Sequence, residues 1–97
     1  MKKILLACSA GMSTSILVKK MLDEAFEQDI EVEIKATSVS EAKLIGDNWD
    51  IVLIGPQVAY ELDGLKSALT KPVFTIDQTL YAKADGQKVL EFAMSNI

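Results

Sequence analysis

Lys2-Lys3-Ile4-Leu5-Leu6-Ala7-Cys8-Ser9-Ala10-Gly11-Met12-Ser13-Thr14-Ser15 runs from an apolar tetrapeptide, through a turn of small residues, to three consecutive hydroxyl residues. Ile4–Ala7 has no polar side chain to offer a solvent face, so it reads as a short strand buried on both sides. Residues 13–28 then read as a helix. Val18, Met21, Leu22 and Ala25 fall at i, i+3, i+4 and i+7, and Ile16, Leu17 and Phe26 widen that apolar arc. Lys19, Lys20, Asp23, Glu24 and Glu27 take the other side, with Lys19–Asp23 and Lys20–Glu24 spaced as i, i+4 pairs on a solvated face. A doubly buried strand feeding a helix is the first half of a parallel strand–helix–strand unit, which sets the fold class.

The same alternation continues downstream. Ile30-Glu31-Val32-Glu33-Ile34-Lys35-Ala36 switches strictly between apolar and polar, as a strand with one exposed face does at a sheet edge. Ser38 followed by Glu41 is a capping-box signature for a short helix ending near Gly46. Ile51-Val52-Leu53-Ile54 is a second all-apolar strand, stopped by Gly55-Pro56, and Trp49 before it suits core or edge packing. Val58, Leu62, Leu65 and Leu69 keep helical spacing, with Gly64 expected to weaken or kink that helix, and Tyr60 suits either the border of a site or packing on the sheet. Pro72 precedes a last strand, Val73–Ile76, and Asp85 suits the N-cap of a final helix with Val89, Leu90, Ala93, Met94 and Ile97 inward. The expectation is an α/β fold: a four-stranded parallel open sheet, order 2-1-3-4, with helices on both faces, in a single domain over residues 1–97. That order places the topological switch between the first and third strands, where open α/β sheets bind ligands at the strands' carboxyl ends.

Composition narrows the function. The net charge of −4 offers no basic stripe for nucleic acid. All ten basic residues are lysine, with neither arginine nor histidine present. One cysteine cannot close an internal disulfide, which fits a reducing cytoplasm. Lys2-Lys3 and an apolar stretch ending at Cys8 imitate a lipoprotein signal, but Ile4–Ala7 falls short of the ~7–15 residues of a signal's apolar region.

The turn after the first strand carries the chemistry. Gly11 permits backbone conformations that aim N–H groups at one centre, and a helix starting near Ser13 adds unpaired N–H groups and a positive dipole end. With the hydroxyls of Ser9, Ser13, Thr14 and Ser15, these make a P-loop-like anion seat of phosphate size, with Cys8 sulfur at its rim. The positive end favours thiolate, the nucleophilic form. The plainer readings are a small core cysteine and an ordinary Ser-Thr-Ser cap. Small α/β tyrosine phosphatases place five residues, then arginine, then serine or threonine after their cysteine. Here Thr14 stands at the arginine position and Ser15 follows. Loss of the guanidinium fork weakens hydrolysis, and absence of histidine removes Cys–His chemistry. A loop that grips phosphate without hydrolysing it suits a phosphoryl carrier.

Cys-Ser-Ala-Gly-Met-Ser-Thr-Ser after a short apolar strand resembles the IIB component of the bacterial phosphotransferase system, in its lactose/cellobiose/diacetylchitobiose class. The resemblance extends through Gly55-Pro56-Gln57-Val58-Ala59-Tyr60 and Tyr81-Ala82-Lys83-Ala84-Asp85-Gly86 and so spans essentially the whole chain. It implies that Cys8 accepts a phosphoryl group from a phosphohistidine on a IIA protein. The phosphocysteine then passes the group to a disaccharide at the membrane IIC transporter. It further implies that Ser9, Ala10, Gly11, Met12, Ser13, Thr14 and Ser15 cradle the phosphate. By position, Gly55 and Gln57 after the third strand and Tyr81 and Asp85 after the fourth are candidates to flank the site, the plainer reading of Gly55 and Gln57 being a turn. Asp85 also suits a plain helix cap, and Met12 an apolar contact with partners. No metal or cofactor is implied, and the expected form is a cytoplasmic monomer that pairs transiently at the inner face of the membrane. The sugar stays open among cellobiose, diacetylchitobiose, lactose and other β-linked disaccharides. Three rivals remain: a weak phosphatase, a receiver-like signalling domain, and a scaffold whose cysteine is silent. The receiver reading lacks its acidic residues, since Cys8-Ser9 and Ile54-Gly55 stand in their places.

Overall fold

The computed structural model describes residues 1–8 and 11–97, and the side chains of 1–8 and 14–97. Within them, β1 (Lys2–Cys8), β2 (Val32–Ser38), β3 (Ile51–Ile54) and β4 (Val73–Thr75) form one parallel sheet in the order β2-β1-β3-β4. The expected order and the expected edge position of β2 both hold. The helices are α1 (Gly11–Glu27), α2 (Val39–Ile45), α3 (Leu62–Ala68), α4 (Gln78–Ala82) and α5 (Gly86–Ser95).

The apolar strands explain the two cores. Successive strand side chains point to opposite faces, so a run with no polar residue must be covered on both. Ile4 and Leu6 of β1, with Ile51 and Leu53 of β3, pack against Leu17, Met21 and Ala25 of α1 and Val89, Leu90 and Ala93 of α5. Their alternates Leu5, Ala7, Val52 and Ile54 pack with Val39 and Ala42 of α2, Leu65 of α3, and Trp49, Val58 and Leu69. All eight of these strand residues are buried. Trp49 is buried as expected, with Lys3 Nζ 4.8 Å from its ring centroid.

Several boundaries move for local reasons. α1 opens at Gly11, two residues before the expected Ser13. It ends with Asp29 in the left-handed region (φ 57°) and the Ile30 N–H donating to Ala25 O at 2.8 Å, so Ile30 belongs to the helix exit and β2 starts at Val32. Ser38 caps α2 as expected, its Oγ accepting from the Glu41 N–H at 3.1 Å, with Gly46 at the other end. After β3 a 3-10 stretch, Pro56–Glu61, precedes α3 and bends at Val58 (φ −118°, ψ 26°). The break in that segment is therefore at Val58, and Gly64 sits inside α3. β4 stops at Thr75, one residue short of the expected Ile76.

Two readings of side chains are corrected. Tyr60 is 79% exposed rather than packed on the sheet, because the 3-10 turn directs Val58 inward instead. Phe26, Ile16 and Leu22 are 87%, 56% and 40% exposed, so the inward arc of α1 is narrower than the wide stripe expected of it. Glu24 accepts from Gln28 Nε2 at 2.6 Å, while the exposed Lys19–Asp23 pair forms at 3.4 Å.

Candidate functional site

Cys8 is the last residue of β1, in register with Ser38 of β2. The β1–β3 ladder runs to the same level: Ala7 pairs with Ile54, and the Gly55 N–H donates to Ala7 O at 2.9 Å. One strand further over, the Ile76 N–H donates to Ile54 O at 2.8 Å. The carboxyl ends of β1, β3 and β4 thus converge, and the segments that leave them carry the site. This is the switch point the topology requires, since the chain departs from β1 toward β2 and from β3 toward β4.

Thr14 lies in the first turns of α1 and is 1% exposed, the one polar residue among the described residues that is so deeply buried. A buried hydroxyl needs a partner. Thr14 has two, donating to Cys8 Sγ at 2.8 Å and lying 3.0 Å from the Tyr81 hydroxyl. Cys8 itself is 5% exposed. Tyr81, on α4, is half-buried.

Gly55 closes the same cluster from below. A Cβ built there would lie 3.5 Å from Cys8 Cβ, 3.8 Å from Tyr81 Cε1 and 2.9 Å from Gln57 Oε1. Cys8, Thr14, Gly55, Gln57 and Tyr81 therefore surround one point. Beside it opens a cleft of about 320 Å3 lined by Pro56, Gln57, Gln78, Tyr81 and Ala82. Among the described residues its walls are amide, aromatic and aliphatic, with no charged group. A second hollow, about 210 Å3 among Thr75, Ile76, Asp77, Leu80, Val89 and Phe92, shares none of these residues.

Of the residues expected at the site, Cys8, Thr14, Gly55, Gln57 and Tyr81 come together. Ser15 is exposed on α1. Gly11, Met12 and Ser13 contribute the first turn of α1, and their side chains, like Ser9 and Ala10 entirely, lie outside the described residues. Asp85 acts as the N-cap of α5, its Oδ1 accepting from the Lys88 N–H at 3.1 Å. Gln78 and Pro56 were not among the expected lining. Gln78 belongs to α4, whose Asp77 cap accepts from the Leu80 N–H at 3.1 Å. Asp77 followed by Leu80 was the available signal, but a helix of only five residues is too short to show a period.

The arrangement gives a sulfur nucleophile beside a helix N-terminus, which favours anions. A hydroxyl donor on the sulfur stabilises negative charge there. The chain has no arginine to clamp a phosphoryl group from outside. Among the described residues, no cluster of three or more metal-ligating side chains forms, and no helix is long and apolar enough to cross a membrane.

Comparison with known proteins agrees with this geometry. Residues 3–92 match the family described as PTS system, lactose/cellobiose specific IIB subunit. The oligo-beta-mannoside-specific EIIB component of Bacillus subtilis (strain 168) is 47% identical, over 98% of this chain and 95% of that one. The cellobiose-specific EIIB component of Lactococcus lactis subsp. lactis (strain IL1403) is 38% identical, over 95% of this chain and 93% of that one. Among solved structures, the cellobiose-specific IIB component of Borrelia burgdorferi superposes with a TM-score of 0.82 at 32% identity, covering 98% of this chain and 90% of that one. The lactose-specific IIB domain from Streptococcus pneumoniae gives a TM-score of 0.86 at 17% identity, over 98% and 96% of the two chains, and so shares the fold. A four-stranded sheet in the order 2-1-3-4, a cysteine at its switch point and these relatives over nearly the full length lead to one conclusion: the chain belongs to the lactose/cellobiose-specific IIB family and is a sugar-specific EIIB component of the phosphotransferase system.

Proposed function

We propose that the chain carries a phosphoryl group on Cys8 Sγ, taking it from a phosphohistidine of a IIA protein and passing it to a sugar at the membrane IIC transporter. The observation that carries this reading is the buried Thr14 hydroxyl, which donates to Sγ at 2.8 Å. In loading, the thiolate attacks phosphorus, the P–S bond forms, and the electron pair of the P–N bond stays on the imidazole. In unloading, a sugar hydroxyl forms the P–O bond and gives up its proton to water, and the P–S pair returns to sulfur.

The residues from Ser9 to Ser15 supply the phosphate cradle, through backbone N–H groups and hydroxyls at the start of α1. Gln57 and Tyr81 border the path by which the donor imidazole approaches, and Asp85 acts only in capping α5. No cofactor or metal takes part. The chain works as a single-domain monomer in the cytoplasm, pairing in turn with IIA and, at the inner membrane face, with IIC. Names of relatives include oligo-beta-mannoside and cellobiose, which support a β-linked disaccharide or short oligosaccharide as the final acceptor.

Phosphatase activity is the alternative that the cysteine loop raises. Thr14, where such enzymes carry arginine, disfavours it, because a neutral hydroxyl does not clamp the equatorial oxygens bidentately. The test is intact mass after incubation with phosphoenolpyruvate and the upstream phosphotransferase proteins. One added phosphoryl group is expected on the wild type and none on Cys8→Ser. If a demonstrably phosphorylated IIA leaves the wild type unmodified, the carrier reading fails.

A further inference from the structure

A threonine hydroxyl has one proton and two lone pairs. With the Thr14 proton directed to Cys8 Sγ at 2.8 Å, the same oxygen can meet the Tyr81 hydroxyl, 3.0 Å away, only as an acceptor. Tyr81 is therefore the donor, and both protons of the chain Tyr81–Thr14–Cys8 point toward sulfur. That polarity suits a charged sulfur, and each bond strengthens the next. Tyr81 reaches Thr14 from α4, at a sequence separation of 67, and its other side lines the cleft with Gln57 and Gln78. It thus joins the Thr14–Cys8 pair to the wall of the cleft.

We infer that Tyr81 is a positioning residue for the chemistry of Cys8: by donating to Thr14 it commits the single Thr14 proton to Sγ and so keeps a hydrogen-bond donor on the sulfur. Its place in phosphoryl transfer rests on the carrier reading given above. Charge develops on sulfur as the phosphoryl group leaves it in unloading, so a donor held on sulfur assists that departure. In the phosphocysteine the charge moves to the phosphoryl oxygens, which are the stronger acceptors, and the Thr14 proton turns to them. The two hydroxyls thus follow the charge without any titrating base, in a chain that has no histidine.

Alkylation of Cys8 by iodoacetamide, followed by intact mass, tests this without a partner protein. At neutral pH the near-isosteric Thr14→Val is expected to react roughly 10–100-fold more slowly, and Tyr81→Phe about 3–10-fold more slowly. Thr14→Ser, which keeps the hydroxyl, stays within about twofold of the wild type. In a Thr14→Val background, where the relay is already cut, Tyr81→Phe brings no further slowing. An unchanged rate in Tyr81→Phe, or an equal slowing by Tyr81→Phe with and without Thr14→Val, overturns the inference. Thermal unfolding of each variant separates a loss of fold from a loss of reactivity. Loading of wild-type Cys8 from phosphorylated IIA is scored apart from this: its failure sinks the carrier reading, while the alkylation rates alone decide the role of Tyr81.

Discussion

At Gly55 the backbone lies in the extended region (φ −64°, ψ 146°), which any residue adopts, so its side chain is limited by neighbours and not by dihedral angle. A Cβ would make ordinary contact with Cys8 and Tyr81, and would collide only with the far end of Gln57, at 2.9 Å. Gln57 is exposed and can swing into the cleft. Gly55→Ala should therefore leave unfolding free energy within about 0.5 kcal/mol of the wild type. Phosphoryl transfer from IIA should slow about 3–10-fold, as the displaced amide crowds the approach to sulfur. Stopped-flow transfer and denaturant unfolding on the same preparation check the pair of outcomes; unchanged transfer would remove Gln57 from the path. At this scale, Cys8 and Thr14 were legible because six positions on one strand–turn–helix bring them together. The bond from Tyr81 to Thr14 spans 67 positions, and no spacing rule shows which of several residues after β4 will reach Thr14.

Elements are fixed by what covers them, and α1 shows where periodicity stops being enough. Its apolar residues span a broad arc, but only the part facing the sheet and α5 is covered, leaving Phe26 and Ile16 in solvent. Which part is covered depends on how closely α5 approaches, and that is set by Gly86. A Cβ there would fall 2.5 Å from the Lys20 carbonyl carbon and 2.7 Å from its oxygen, which are backbone atoms of α1 unable to rotate away. Gly86→Ala should cost about 1–3 kcal/mol by forcing the helices apart. Gly55→Ala, with the same added methyl group, costs little because its obstacle is a flexible tip. Denaturant midpoints of the two variants measure the contrast, and equal midpoints would show that α5 shifts without strain. The strands and the two capped helices α2 and α5 were readable because their signals, apolar runs and a Ser or Asp N-cap, are local. α4 and the bend at Val58 were not, since a five-residue helix and a 3-10 turn bury too few side chains to leave a pattern.

The whole molecule separates chemistry from cohesion along the strand direction. Cys8, Thr14, Gly55 and Tyr81 gather at the carboxyl ends of the strands, while polar clamps sit at the amino ends. Asp50 Oδ2 accepts from the Lys3 N–H at 2.8 Å, at the start of β1. Asp47 Oδ1 accepts from the Thr70 N–H at 2.8 Å, the Lys71 N–H at 3.2 Å and the Thr70 hydroxyl at 3.2 Å, tying the exit of α2 to the entry of β4. Order 2-1-3-4 was readable from the apolar and alternating runs, yet these clamps were not, because they join loops that carry no motif. The Thr70 N–H, with Lys71 and the Thr70 hydroxyl adding to it against a smaller cost of desolvation, holds the Asp47 carboxyl below its ordinary value. A carboxyl lowered on folding contributes stability that is fully present above its unfolded value, about 3.9, and is lost as pH falls through the lower folded value. Asp47→Asn should thus be less stable than the wild type at neutral pH, and the gap should narrow from about pH 4 downward as Asp47 takes up its proton. Because the carboxylate is exposed, added salt should shrink the part due to Lys71 and leave the part due to the Thr70 hydrogen bond. Urea unfolding of both proteins between pH 7 and pH 3 measures the gap. A difference that stays constant across that range would mean that the Asp47 charge adds nothing to the clamp. Phosphoryl loading of Cys8 at neutral pH should be the same in both proteins, since Asp47 lies at the opposite end of the sheet from the sulfur.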